Sequence, residues 1–163
     1  MTENDAPTTA PSADETTPSD ADTLSMVQRI ATRFVQAYTL AEEDPEFGQL
    51  FADSVQIWHS FDQKTISLSG AEFAAAMIRM LRATAEIVRD HADRVWSLTV
   101  DSAGFAVAAT ASGSLADGVP LSIARCLLVT VDAGRITHIF EFGDLQQRTP
   151  LDAALRAAGR FRS

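Results

Sequence analysis

Between residues 93 and 144 apolar and polar side chains alternate with a period of two, and three turn signals cut this stretch into four strands. The strands read as 93–101, 104–115, 119–131 and 135–144, broken at Asp101-Ser102-Ala103-Gly104, Asp117-Gly118 and Asp132-Ala133-Gly134. Connections this short make the four strands antiparallel neighbours, since a parallel crossover needs a dozen or more residues. The result is a long curved antiparallel sheet, and one of its faces must be covered by helices.

Those helices lie mostly upstream. From Leu24 to about Glu43, Val27, Ile30, Ala31, Phe34, Val35 and Tyr38 recur at spacings of three and four, one apolar stripe on a helix. Asp44-Pro45-Glu46 reads as the start of a second, short helix, with Phe47, Leu50 and Phe51 on its buried side. At 54–62 the period changes to two, so that Val55, Ile57, His59 and Phe61 share one face and Gln56, Trp58, Ser60 and Asp62 the other. A short strand at Thr65–Leu68 follows, and Ser69-Gly70-Ala71-Glu72 is a capping box that opens a helix of about 20 residues. Past the last strand, Thr149-Pro150-Leu151-Asp152 reads as the start of a short helix that closes before Gly159. The order α-α-β-β-α-β-β-β-β predicts an α+β domain whose sheet wraps incompletely around its helices and leaves an internal pocket. The domain spans residues 24–145, and residues 146–163 form a C-terminal helix and tail.

Residues 1–23 carry six acids and no base among Thr, Pro, Ala and Ser, a composition that predicts a disordered tail. The net charge of −9 argues against a nucleic-acid partner, and no apolar run approaches the length of a membrane span. A single cysteine, Cys126, leaves no pair for a disulfide and no cysteine-built zinc site. The three histidines are scattered, and neither a phosphate loop nor a dinucleotide fingerprint is present, so no metal and no cofactor is expected. These features predict a cytoplasmic protein with a small-molecule ligand.

Four strings, in this order, resemble the nuclear transport factor 2-like superfamily, which includes ketosteroid isomerase, scytalone dehydratase, limonene epoxide hydrolase and the SnoaL-like polyketide cyclases. They are MVQRIATRFVQAY, LFADSVQIWHSFD, Gly70 opening the long helix, and GRITHIFEFGD. The resemblance implies a cone-shaped domain with a pocket inside. It places His59 where the isomerase has its proton-moving aspartate and Phe34 where it has an oxyanion-binding tyrosine, while the isomerase's second oxyanion donor falls near Cys126 or Leu127. Loss of both donors argues against steroid isomerisation by that route. The comparison with the epoxide hydrolase places its water-activating aspartate on Glu141. That enzyme's Arg-x-Asp pair is replaced by VAATAS at 107–112, which removes the proton donor to an epoxide.

His59 and Glu141 are thus implied to face the pocket. Alternation extends the inward set to Ile139 and Gly143, and to Arg125, Leu127 and Val129 on the preceding strand, with Arg125 expected to reach Glu141. Tyr38, one turn past Phe34, supplies a hydroxyl. In this reading His59 transfers a proton, Glu141 orients it, Arg125 and Tyr38 position a substrate oxygen, and Phe34, Ile57, Phe61, Phe105, Val107, Leu127 and Ile139 form the wall. Met77 and Met80 read as core or pocket wall, and His91 as a dipole partner at the end of the long helix.

The implied activity is that of a cofactor-independent lyase or isomerase acting on a small hydrophobic ring-containing carbonyl or hydroxyl compound. The alternative is a non-catalytic module of the same fold that binds a hydrophobic ligand or a protein. Val100, Cys126, Leu128, Phe140 and Phe142 lie on the convex face, and with Trp58 they predict a homodimer through it.

Overall fold

The computed structural model describes residues 19–40 and 45–160. Helix α1 (Asp20–Leu40) begins four residues before the expected boundary. Ser19 caps it: the Asp22 N–H donates to the Ser19 hydroxyl at 3.2 Å, and that hydroxyl donates to the Asp22 carboxylate at 2.7 Å. Asp20 and Asp22 in the first turn face the positive end of the helix dipole, so the last acids of the expected tail begin the helix. The rest of that tail, residues 1–18, lies outside the described residues. Val27, Ile30, Ala31, Phe34, Ala37 and Tyr38 form the buried stripe.

The expected second helix is a four-residue 3₁₀ turn, Phe47–Leu50, and Asp44 lies outside the described residues. Phe47 and Leu50, three apart, both point inward from such a turn, and Phe51 already belongs to β1 (Phe51–His59). Strand β2 (Thr65–Leu68) pairs antiparallel with β1. The capping box of α2 (Gly70–Ile87) is complete, with Ser69 accepting from Glu72 N–H and the Glu72 carboxylate accepting from Ser69 N–H at 3.0 Å. Gly70 is dictated by packing, because a Cβ there would stand 2.5 Å from the Ala52 carbonyl oxygen and 2.7 Å from Phe51 Cβ.

The four following strands are β3 (Arg89–Asp101), β4 (Gly104–Ser114), β5 (Pro120–Asp132) and β6 (Arg135–Gly143). They pair antiparallel in sequence order, as their short turns require. The Asp101 side chain accepts from Ala103 and Gly104 N–H at 2.8 and 2.9 Å, and Ala133 and Gly134 take φ of 46° and 75°, the left-handed pair that a tight hairpin needs. Strand β3 starts four residues earlier than expected, so His91 stands on a strand and not at a helix end. The sheet order is β2-β1-β6-β5-β4-β3, and the β1–β6 junction is parallel, which makes the curved sheet mixed. Helix α3 (Leu145–Ala157) begins four residues before the Thr-Pro signal, because the Asp144 side chain caps it by accepting from Gln146 N–H at 2.8 Å. Pro150 therefore sits inside the helix, and Gly159 closes it with φ of 68°.

Two apolar clusters hold the layers together. The larger packs α1, the 3₁₀ turn and Ala74 of α2 onto the inner face of the sheet, and the smaller joins Leu151 and Leu155 of α3 to Ala111, Leu121 and Ile123 at its other end. A cavity of about 350 Å³ opens between helices and sheet, a size suited to a small organic ligand.

Candidate active site

The parallel register of β1 and β6 sets His59 beside Glu141, with Nε2 3.4 Å from Oε2. Beyond His59 a serine clasp continues the pairing. Ser60 N–H donates to the Glu141 carbonyl at 2.9 Å, and Gly143 N–H donates to the Ser60 hydroxyl at 3.1 Å. His59 Nδ1 lies 3.9 Å from Asp62 Oδ1, and its ring stacks on Phe61 with centroids 4.7 Å apart. The imidazole therefore has a carboxylate near each nitrogen and an aromatic ring on one face.

The expected Arg125–Glu141 ion pair does not form. Arg148, from α3, takes that place at 3.8 Å from Glu141 Oε1, while its Nε donates to Asp152 Oδ1 at 3.2 Å and its guanidinium lies 4.5 Å from the Phe61 centroid. Arg125 instead donates to Asp93 Oδ1 at 2.5 Å, and His91 Nε2 lies 3.5 Å from Asp93 Oδ2. The Asp93 side chain is 2 % exposed and serves both Arg125 and His91, one on each oxygen. Arg125 also covers the Tyr38 ring, 3.9 Å from its centroid. Arg125 Nε and the Tyr38 hydroxyl are buried without a hydrogen-bond partner among the described residues.

Burial pushes the Arg125 pKa down to about 10, with Glu141 resisting the fall and Arg148 adding to it, so Arg125 is still a cation near neutral pH. Burial raises the Asp93 carboxyl, opposed by His91. A group that holds its proton more tightly when folded favours the native state below its ordinary value of 3.8, and that contribution is lost as pH rises through the folded pKa. The Tm of the parent should therefore fall relative to that of Asp93→Asn as pH rises from the acid side. Superimposable acid limbs would refute the desolvation of this carboxyl.

Phe34, Ile57, Phe61, Leu127 and Ile139 line the cavity together with Tyr38, His59, Arg125 and Glu141. Phe105 and Val107, expected in the wall, do not. They lie buried in the core that α1 covers, and Phe105 packs on Phe34 at 5.5 Å between centroids. Met77 and Met80 are wall residues. His91, Asp93, Arg148 and Asp152 also reach the cavity, and sequence reasoning missed them. The alternation His91, Asp93, Val95 carried the signal for the first two. The last two lie an i, i+4 step apart on α3, a pattern that the Thr-Pro signal obscured. Among the described residues no group of three or more His, Cys, Asp or Glu side chains is placed to hold a metal ion.

Searches of protein-family models and of curated proteins return no match. Solved structures do match. PrhC from Penicillium brasilianum NBRC 6234 superposes with a TM-score of 0.61 at 16% identity, over 85% of this chain and 93% of its own. A protein from Jannaschia sp. CCS1, described as a SnoaL-like polyketide cyclase, has a TM-score of 0.61 at 13% identity, over 81% and 92%. A protein with a ketosteroid isomerase-like fold from Catenulispora acidiphila, solved in complex with trimethylamine, has a TM-score of 0.54 at 16% identity, over 72% and 87%. The chain has the nuclear transport factor 2-like fold. This fold accommodates many chemistries, so function has to be argued from the cavity.

Proposed function

We propose that the cavity is the active site of a cofactor-independent lyase or isomerase that moves a proton on a small hydrophobic ring compound bearing a carbonyl or hydroxyl group. The observation that carries this reading is the His59–Glu141 pair, 3.4 Å apart in a predominantly apolar hollow. His59 takes or returns the proton, Glu141 and Asp62 hold the ring in place, and Tyr38 and Arg125 offer donors to a substrate oxygen. Leu127, Ile139 and Met77 exclude water and hold the rings. General acid–base catalysis of this kind supplies about two to four decades of rate, which suits a C–H or C–O bond already activated by a neighbouring carbonyl. The neighbouring structure described as a polyketide cyclase supports a ring-forming or ring-modifying reaction.

A thermal-shift screen of steroids, terpenoids and aromatic polyketides, with mass spectrometry of each stabilising compound, tests the reading. Stabilisation with a product of equal mass, or lighter by one water, is expected. Stabilisation with no product from any compound would replace the enzyme with a ligand-binding module.

We further propose a homodimer through the outer face of the sheet. Leu128, Phe140 and Phe142 stay 43%, 39% and 40% exposed there, and Trp58 packs on both phenylalanines at 6.3 and 5.4 Å. Val100, expected on this face, packs inward against the main core. A bulge between Val95 and Ser97 shifts the register of the edge strand and leaves Val100 opposite the buried Phe105. Sedimentation at micromolar concentration should give a dimer that Phe142→Glu converts to a monomer. A wild-type monomer under those conditions would overturn the assignment.

A further inference from the structure

His91 and Asp93 form a second histidine–carboxylate pair in the same cavity, one that the proton transfer at His59 does not use. They stand on β3, four strands along the sheet from β1. A buried, linked set of charges is poor evidence for stability, because desolvation offsets much of the attraction. Here the set also leaves two donors idle. Asp93 engages Arg125 through one nitrogen only, and Arg125 Nε and the Tyr38 hydroxyl lack partners on residues that line the cavity. An unsatisfied buried donor costs about 1–3 kcal/mol, a penalty that a ligand acceptor would remove.

The charge arithmetic then sets what an anionic ligand requires of this subsite. With His91 neutral, Asp93 and Arg125 sum to zero, and an anionic ligand oxygen would leave one uncompensated negative charge in an apolar wall. One proton on His91 restores neutrality, and Asp93 is already in place to hold the imidazolium. We propose that Tyr38, Arg125, Asp93 and His91 form a proton-coupled subsite for the carboxylate of an aromatic or alicyclic acid, whose binding moves one proton from solvent onto His91.

The other charged groups around the cavity are His59 on β1, Glu141 on β6, Asp144 ahead of α3, and Arg148 and Asp152 on α3. Of these, His59, Glu141, Arg148 and Asp152 are engaged with one another, and Glu141 and Arg148 also act on Arg125. Thr84 of α2 and Leu151 of α3, which share a recess with His91, do not titrate. The part of the pH dependence of anion binding that is lost in His91→Gln reports on His91.

This inference rests on the reading of the cavity as a ligand site and narrows the ligand to an acid. It is tested by calorimetric titration of the full chain with a naphthalene carboxylate and with the matching naphthyl methyl ketone. Measurements between about pH 6 and about pH 8 cross the imidazole range. Affinity for the acid is expected to fall by up to about tenfold per pH unit, and the binding heat to vary with buffer ionisation heat, while the ketone shows neither effect. His91→Gln should flatten the acid's slope, and Asp93→Asn should weaken it. A pH-independent affinity for the acid, or a slope that survives in His91→Gln, overturns the subsite while ketone binding keeps the cavity as a ligand site. Failure of both probes to bind overturns the subsite and the cavity reading together.

Discussion

Turnover of any substrate accepted by the cavity is expected to fall by about two to four orders of magnitude in His59→Gln, with KM changed much less. Glutamine keeps a polar group of similar reach but carries no titratable proton. The apolar wall is not touched, so ground-state binding survives and the loss appears in kcat. Glu141→Gln should lose less, since it removes the partner that holds Nε2 and leaves Asp62 beside Nδ1. The two variants also differ in their pH profiles. His59→Gln removes the limb belonging to the base, whereas Glu141→Gln keeps a limb. Steady-state kinetics across the imidazole range checks both expectations. Undiminished kcat in His59→Gln would remove this residue from the chemistry.

The largest stability effect is expected for Phe34→Ala, about 3–5 kcal/mol, the usual loss for emptying a buried aromatic site. Phe34 is 1% exposed and lies at the centre of the aromatic cluster. Its ring centroid is 6.0 Å from Tyr38, 6.2 Å from Phe47, 6.4 Å from Phe51 and 5.5 Å from Phe105. These partners come from α1, the 3₁₀ turn, β1 and β4, so no single element can move to refill the space. For a chain of this size the loss corresponds to a fall in Tm of about 10 °C or more, readable by calorimetry. A loss below about 1 kcal/mol would mean that the cavity side already accommodates the gap. Because Phe34 also lines the cavity, the variant should accept bulkier ring systems than the parent.

Much of the frame was legible because local rules and packing agree. The Ser69–Glu72 box, the period of two in β4 to β6 and the Asp101 turn each act over a few residues, and the structure keeps all of them. His59 and Glu141 are reached through the family resemblance, and alternation extends the inward set from them. Lateral partners were harder to read. Whether Arg125 meets Glu141 or Asp93 depends on side-chain reach across strands and on the register of β3 against β4, which bulges between Arg89 and Ala92 and between Val95 and Ser97. Nothing in the local sequence announces those bulges. His91 was obscured for a different reason: Thr84, Ile87 and Val88 continue to it at helical spacing, so a helix and a strand competed for the same residues. Tertiary pairing of Arg89 with Ser114 decided for the strand. The start of α3 was misplaced because Thr-Pro imitates a helix start while the true cap, Asp144, doubled as the end of a strand.

The parallel seam has a bearing on how the molecule matures. It joins Ser60 to Gly143 across 83 positions of sequence, and the edge β1 offers there is left for a strand that is synthesised last. A ribosome-bound chain lacking β6 can complete the hairpin of β1 with β2 and the meander of β3 to β5, yet it has only Asp62 beside the imidazole of His59. The His59–Glu141 pair therefore forms in a single late event, and loop closure over so long a span makes that event slow compared with the hairpins. Until then the nascent protein exposes an unzipped β1 edge, and the interval before β6 docks is when it is most open to pairing with the wrong strand.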